Sequence, residues 1–244
     1  RQMCIRDRGR GVGSWALQKL FEEARELGLD WVGSGFGVTE ELLRFWLKNG
    51  FSVVHISPDR NPVSGEYTVL VIKPLNAKTE EMVRIAKLEF KLKLIDSLAI
   101  NYRELEPETA YLMLNTDPYI YTKKPSELLS PIARDRLWTY CTGPMTFEAA
   151  ADLMFKLAKI YWLSAPEARP ALSRLHELLL ISKALQGLTW DEVQEILKEP
   201  VRVLQEEGHE IACKYFEFLT GLKPSDYEPG VSISDHSYLY SYFA

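Results

Sequence analysis

A glycine-rich run opens directly into a helix near the start of this chain of 244 residues. The run reads Arg8-Gly9-Arg10-Gly11-Val12-Gly13, and a helical pattern follows it over residues 14–27. Glycine adopts left-handed backbone angles without steric cost, so the chain can come close to a bound group there. The unpaired N–H groups at the start of a helix favour an anion. The run therefore predicts a cradle for a pyrophosphate, and the alternative is an ordinary turn before a helix.

The pattern after this helix changes from strands to helices along the chain. Runs rich in β-branched and aromatic residues predict strands at residues 30–37, 51–57 and 66–73. Thr39 is placed to cap a helix that ends at Asn49-Gly50. From residue 79 onward apolar residues recur at the helical period of 3.6. The predicted fold class is therefore α+β, a mixed sheet with helices followed by a mostly helical region.

Several helices are predicted in the second half of the chain. Their ranges are 126–142 with a break at Pro131, 146–164, 169–186, and 201–219. Pro107 and the Asp117-Pro118 pair interrupt the pattern and predict breaks between helices.

Three segments resemble those of tRNA(Met) cytidine acetyltransferases, in the archaeal form of that family. They are residues 30–37 (DWVGSGFG), 41–46 (ELLRFW) and 60–67 (RNPVSGEY). Residues 43–51 (LRFWLKNGF) resemble the last helix and strand of the GNAT acetyltransferase fold. The resemblance is strong over residues 9–76. The helical remainder is similar to the RNA-binding region of the family and carries weaker motifs.

The resemblance implies an acyltransferase that moves an acetyl group from acetyl-CoA to N4 of a cytidine in tRNA. In that family ATP and Mg²⁺ act through a helicase-like module, and no Gly-x-x-x-x-Gly-Lys-Ser/Thr run occurs here. The implied partners are acetyl-CoA and tRNA or another structured RNA, with no membrane and no DNA. Two alternatives stay open. One is another GNAT acetyltransferase that acts on a protein or small amine through a helical protein-interaction domain, and the other is a non-enzymatic interaction module.

Four segments are expected along the chain. Residues 1–7 have no strand or helix period and resemble translated adapter sequence, so we leave them out of the fold. Residues 8–76 are predicted as the C-terminal half of a GNAT domain, residues 77–228 as the helical RNA-binding region, and residues 229–244 as an aromatic tail. The family's strand for the pantetheine arm would precede residue 8. We therefore expect the chain alone to be inactive.

Candidate acetyl-CoA ligands come from the cradle and from the resemblance. The cradle supplies Arg8, Gly9, Arg10, Gly11, Val12 and Gly13. Glu41 and Lys48 stand where family members contact acetyl-CoA, and each is also a favourable charge at its end of a helix. Trp46 stands where many GNAT enzymes carry a tyrosine that protonates the departing thiolate, although an indole has no titratable proton. No catalytic residue is assigned, because the family's candidates for the base precede residue 8.

Polar and basic residues supply the candidate contacts to the acceptor. Arg60, Asn61 and Ser64 lie in the loop that faces the acceptor in related folds, and the alternative is an ordinary turn. The candidate RNA contacts are Lys87, Lys91, Arg134 and Arg136. The net charge of the chain is −5, which by itself does not predict nucleic acid. The alternative for each basic residue is a solvated helix face.

Cysteine and histidine residues predict neither a metal site nor a disulfide. Cys4, Cys141 and Cys213 are too few and too scattered for a disulfide framework or a zinc site, so a reducing cytoplasm is the expected compartment. His176 and His209 fall on predicted helices and are expected to be structural. No apolar run reaches the ~18 residues of a membrane-spanning helix.

Overall fold

A computed structural model describes residues 11–124 and 129–230. The chain forms two compact units. The first runs to Leu94 and includes Thr116–Pro118, and the second comprises Ile95–Asn115 and the chain from Tyr119 onward. The first contains a sheet with helices and the second is helical, so the α+β class is confirmed.

Strands and helices alternate in the first unit. Its elements are α1 (Val12–Glu26), β1 (Trp31–Gly37), α2 (Glu40–Lys48), β2 (Ser52–Arg60), β3 (Tyr67–Pro74) and the first part of α3 (Ala77–Asn101). The strands form an antiparallel sheet in the order β1-β3-β2. The central strand β3 buries Tyr67, Val69 and Val71 on one face. The β-branched residues that predicted this strand therefore supply much of the core of the unit.

Strand β1 pairs with one neighbour within the described residues, and its glycines leave room on the face opposite the core. Gly35 lies opposite Leu70 of β3, and a Cβ on Gly35 would lie 3.0 Å from a methyl carbon of that leucine. A Cβ on Gly33 would lie 2.9 Å from the ring of Trp31. Trp31 and Leu70 are 54% and 45% exposed. This face of the sheet therefore presents large apolar side chains to solvent.

Helix α3 begins where the apolar pattern changes, after the end of β3 at Pro74. It is one continuous helix, and the division between the compact units falls inside it, at Leu94–Ile95. The helix buries Phe90, Leu94 and Leu98. The chain thus passes from the first unit to the second along a helix and not through a loop.

The second unit contains six more helices within the described residues. They are α4 (Pro107–Leu114), α5 (Pro131–Cys141), α6 (Ala151–Leu163), α7 (Arg174–Leu179), α8 (Trp190–Leu197) and α9 (Val201–Thr220). Helices α5 and α9 pack against each other, and α9 ends at Gly221 with φ 74°. Trp162 of α6 and Tyr215 of α9 are fully buried in the core. The core of this unit is therefore built from helix faces alone.

The expected break at Pro107 is present, and another expected helix begins later than predicted. Helix α3 ends at Asn101, and Pro107 is the first residue of α4, where the missing N–H of proline is not needed. The helix expected over 169–186 begins only at Arg174, because Ser173 caps it by accepting a hydrogen bond from the N–H of His176 at 3.2 Å. A π-helical turn, Leu180–Leu185, then continues α7.

The expectation that the cysteines do not pair was wrong. Cys141 at the end of α5 and Cys213 on α9 form a disulfide with a Cα–Cα distance of 4.8 Å. The two residues are 72 positions apart, so their spacing in the sequence gives no sign of the contact. Packing of α5 on α9 brings them together.

We expect the double variant Cys141→Ser/Cys213→Ser to lose about 4 kcal/mol of unfolding free energy, because a cross-link over a loop of this length restricts the unfolded chain. Denaturant unfolding under oxidising conditions measures the difference. Cys4→Ser is the control and should leave the stability unchanged. Thiol titration of the denatured, unreduced chain should find one free thiol, and three would contradict the disulfide.

Candidate functional site

The start of α1 has the geometry expected of an anion cradle. Gly11 is the N-cap residue, with φ 77° and ψ 0°. A Cβ at this position would have no neighbour within 4 Å, so the backbone angle and not space is what favours glycine. The first turn contains no acidic residue, and its N–H groups precede the first backbone hydrogen bond, from Trp15 N–H to Gly11 O at 2.9 Å. Such a turn favours a bound anion.

The other cradle residues have different surroundings. A Cβ on Gly13 would lie 3.1 Å from two ring carbons of Phe45, so this glycine allows α1 to pack against α2. Val12 is 63% exposed. Arg8, Gly9 and Arg10 lie outside the described residues. The structure therefore shows a left-handed N-cap at Gly11 and a packing role for Gly13, and the contact of these residues with a pyrophosphate stays a prediction.

Helix α2 carries the remaining candidate ligands. Thr39 caps it by accepting a hydrogen bond from the N–H of Leu42 at 3.4 Å, as the sequence predicts. Glu41 lies in the first turn and Lys48 in the last, and both are exposed. Their contact with acetyl-CoA stays a prediction, since both positions also suit the charges of helix ends.

Trp46 presents a buried donor that has no acceptor within the described residues. Its ring stacks on Phe36 with centroids 5.6 Å apart, and the ring of Phe51 meets it edge-on at 4.7 Å. The indole Nε1 is shielded from solvent and has no hydrogen-bond partner in residues 11–124 and 129–230. A buried N–H without an acceptor costs about 1–3 kcal/mol. The structure thus holds a rigidly placed N–H on the helix where related folds carry a tyrosine.

The loop predicted to face the acceptor is a hydrogen-bonded turn. The side-chain Oδ1 of Asn61 accepts hydrogen bonds from the N–H groups of Val63 at 2.8 Å and Ser64 at 3.2 Å. The guanidinium of Arg60 donates to Gly65 O and lies 5.9 Å from the centre of the Tyr67 ring. These contacts shape the loop itself. Substrate contact by Arg60, Asn61 and Ser64 stays a prediction.

Two of the predicted RNA contacts lie on α3 and make internal contacts in the first unit. Lys91 is 1% exposed, and its ammonium donates to the carbonyls of Thr116 and Pro118, the latter at 3.2 Å. Lys87 is 17% exposed at its side chain and pairs with Asp117 at 3.3 Å. The assignment of Lys91 to RNA is therefore corrected, because a buried ammonium that binds two carbonyls cannot reach a phosphate.

The other two predicted RNA contacts lie on α5 in the second unit. Arg136 makes two hydrogen bonds to the carboxylate of Asp152, at 2.6 and 2.8 Å, and a third to Ala149 O. These bonds lower the pKa of Asp152. Arg134 is exposed and pairs with no carboxylate of the described chain. Among the described residues, Arg134 is thus the member of the set that is exposed and has no ion pair.

A cavity that the sequence did not reveal adjoins Arg134. Its volume is about 220 Å³. It is lined by Arg134, Leu137, Phe216, Leu222 and Tyr227, among others, which come from α5, α9 and the segment after α9. The apolar side chains of α5 and α9 can be seen in the sequence. Their spacing along each helix does not show which helix faces meet, so the sequence does not predict the cavity.

A second cavity of about 200 Å³ lies elsewhere in the same unit. Glu148, Trp190 and His209 help to line it. Lys183, on the π-helical turn, places its ammonium 4.6 Å from the centre of the Trp190 ring and 3.7 Å from the carboxylate of Glu148. Burial lowers the pKa of Lys183. This cavity therefore already has a cation and a carboxylate at its edge.

His176, Glu207 and Glu210 form a cluster whose ligand atoms lie within 4.8 Å of one another. His176 Nδ1 accepts a hydrogen bond from the N–H of Ser173 at 3.4 Å. The ring proton is therefore assigned to Nε2, which donates to Glu207 at 2.5 Å. This hydrogen bond suits a structural histidine, and a metal at Nε2 would have to displace the proton assigned there.

Comparison with known proteins relates the sequence of this chain to known acetyltransferases. Residues 13–76 match the family model described as GNAT acetyltransferase 2. A tRNA(Met) cytidine acetyltransferase of Thermofilum pendens is 50% identical over 182 residues, which are 75% of this chain and 22% of the relative. That of Methanopyrus kandleri is 44% identical over 207 residues, 85% of this chain and 24% of the relative. That of Pyrococcus abyssi is 44% identical over 187 residues, 77% of this chain and 23% of the relative. The chain thus spans less than a quarter of the length of these three relatives.

None of the helices in the described part of the chain combines the length and apolar character needed to cross a membrane.

The buried position of Lys91 leads to a stability prediction. We expect Lys91→Glu to lower the unfolding free energy by about 3 kcal/mol or more, because a carboxylate would face the carbonyls of Thr116 and Pro118 without a partner. Urea unfolding measures this change. Lys78→Glu, an exposed charge reversal near the start of the same helix, is the control and should be nearly neutral. Equal stability of the two variants would contradict the burial of Lys91.

Proposed function

Because the chain belongs to the family of tRNA(Met) cytidine acetyltransferases, we propose that it forms part of an enzyme that acetylates N4 of a cytidine in tRNA with acetyl-CoA. The observation that carries the proposal is the left-handed N-cap at Gly11. It lies next to residues 13–76, which match a GNAT acetyltransferase model. GNAT acetyltransferases use acetyl-CoA. The relatives' names state the acceptor as a cytidine of tRNA(Met).

The residues at the start of α1 suit a phosphate-bearing cofactor. The first turn offers N–H groups with no acidic residue beside them, and Gly11 has the backbone angle that lets the chain turn toward a bound group. The buried N–H of Trp46 lies in the same unit without an acceptor among the described residues. We propose that Gly11, Val12 and Gly13 hold the pyrophosphate, together with Arg8, Gly9 and Arg10.

In the proposed reaction these residues bind the cofactor and position the reactants. Acetyl-CoA, when bound, supplies the thioester that the cytidine amine attacks. The lone pair of that amine is delocalised into the base, so positioning the two reactants is a large part of the task. Trp46 can donate a hydrogen bond but cannot give up a proton. We assign it a positioning role and propose Glu41 and Lys48 as further cofactor contacts.

The remaining parts of the proposal concern organisation and partners. We propose residues 8–76 as the acetyltransferase part, residues 77–228 as the RNA-binding part and residues 229–244 as a tail, in a cytoplasmic protein. Any use of ATP and Mg²⁺ would depend on segments of the longer relatives that this chain does not match. No observation favours a protein or small amine as the acceptor.

A chimera tests the activity. The matching segment of the Thermofilum pendens relative is replaced by residues 8–230 of this chain, and the product is incubated with acetyl-CoA, ATP, Mg²⁺ and tRNA(Met). We expect N4-acetylcytidine, detected by mass spectrometry of the digested RNA. A folded chimera that binds acetyl-CoA but acetylates only a protein or a small amine would refute the assignment.

In the same chimera, we expect Gly11→Val to weaken acetyl-CoA binding more than tenfold, or about 1.4 kcal/mol. A β-branched residue resists the left-handed angle, so the cradle changes shape. Gly28→Val is the matched control, because Gly28 also has a positive φ (71°) and open space but lies beyond the other end of α1. Calorimetry that shows the same affinity for both variants would contradict the cradle.

A further inference from the structure

Arg134 lines a cavity in the second unit and is not used in an ion pair with the described residues. Its neighbour on the helix, Arg136, is committed to Asp152 and to Ala149 O. Arg134 has no ion pair with any carboxylate of residues 11–124 and 129–230. Among the described residues that line the 220 Å³ cavity, it is the one charged side chain. The lining therefore combines apolar side chains, the hydroxyls of Thr220 and Tyr227 and a single positive charge, which suits a ligand that combines a ring with an anion.

The size of the cavity limits what can enter it. A volume of about 220 Å³ is below the roughly 300–1,000 Å³ of sites that enclose drug-sized ligands. It suits a single planar ring system. Leu137 and Phe216 are fully buried at its wall and Leu222 is 45% exposed. The cavity thus has buried apolar side chains on part of its wall and reaches the surface.

The aromatic wall of the cavity is held in place. The hydroxyl of Tyr227 donates to the carboxylate of Asp135 at 2.6 Å, and its ring meets that of Phe216 edge-on at 5.0 Å. The indole of Trp138 donates to Pro224 O at 2.8 Å and anchors the segment that carries Tyr227. A ring fixed in this way loses little freedom when a second ring packs against it.

The second cavity of the same unit lacks this combination. Glu148 is among its lining residues, and Lys183 already lies against the aromatic rings beside it. A phosphate near that carboxylate would be repelled, and the cation there already has partners. The chemistry of an anionic ligand therefore favours the cavity at Arg134.

We propose that the cavity lined by Arg134 and Tyr227 is a subsite for one unstacked nucleotide of RNA. The base packs against the ring of Tyr227 inside the cavity, and Arg134 pairs with an adjacent phosphate. Proteins that bind unpaired RNA combine aromatic rings for the bases with basic groups for the backbone in this manner. The inference rests on the proposed function in that it takes RNA as the partner, and it names the place and the form in which RNA is bound.

Two pairs of variants of the full chain separate the ring from the charge. The probes are a labelled single-stranded oligocytidylate and a labelled blunt RNA duplex, with binding followed by fluorescence anisotropy over a range of salt concentrations. Tyr227→Leu should weaken binding of the single strand by about 5- to 150-fold, the range for one lost base stack, and leave the salt dependence unchanged. Tyr227→Phe keeps the ring and should keep the affinity.

Arg134→Ala should lower the magnitude of the slope of log affinity against log salt by about 0.7, the value for one phosphate contact on a single strand. Arg202→Ala is the matched control, because Arg202 is 89% exposed at its side chain, lies on α9 and does not line the cavity. It should change neither affinity nor slope. Thermal unfolding verifies that each variant is folded. If Tyr227→Leu does not fold, the change of slope in Arg134→Ala decides the question.

The outcomes are distinct. Loss of single-strand binding in both cavity variants, with the duplex unaffected, supports the subsite. Unchanged single-strand binding in both variants overturns the subsite and leaves RNA binding by the chain intact. Equal losses on duplex and single strand also overturn it, because Arg134 would then be a general phosphate contact. If the unaltered chain binds neither probe, the subsite is wrong and so is RNA contact by this chain, whereas the chimera still tests acetyl transfer independently.

Discussion

The contact between α5 and α9 is the constraint on which the second unit depends. The two helices approach so closely that a Cβ on Gly208 would lie 2.7 Å from the hydroxyl of Tyr140. His209 Nδ1 lies 2.5 Å from Tyr140 O, and the disulfide joins the next residue of α5 to Cys213. Both cavities of the unit take walls from this helix pair. The glycine and the cross-link therefore fix the spacing of side chains that are far apart in the sequence.

The first unit depends on a β-sheet and not on a pair of packed helices. Its core is one face of a three-stranded sheet whose central strand is nearly all β-branched or apolar, and α2 adds the fully buried Leu43. The predicted cofactor contacts within the described residues lie on α1 and α2 or cap α1. Gly11 is the left-handed N-cap of α1, and the indole N–H of Trp46 on α2 has no acceptor among the described residues.

Local patterns predicted much of this fold. The period of β3, the cap at Thr39 and the end of α9 at Gly221 were all readable, because each depends on residues close in sequence. The break between helices at Pro107 was readable in the same way, because proline suits the first position of a helix and not its interior. The disulfide was missed for the opposite reason, because only tertiary packing brings its two halves together.

The candidate site also contains features that depend on residues close in sequence and features that depend on tertiary packing. The start of α1 at the glycine-rich run could be anticipated because it depends on residues close in sequence, whereas the burial of Lys91 could not. A lysine on an amphipathic helix is usually solvated, and the carbonyls that bind this one come from residues 116 and 118. Arg134 and Arg136 are two positions apart and look equivalent in sequence. Asp152 forms an ion pair with Arg136, whereas Arg134 lines a cavity.

The glycines of β1 carry a consequence for handling the protein. They leave Trp31 and Leu70 exposed on one face of the sheet, and β1 is an edge strand within the described residues. A strand edge with unpaired backbone groups beside apolar surface is a template for pairing with another chain. At high concentration we therefore expect strand-to-strand self-association of the chain, which a charged residue in place of Leu70 should reduce.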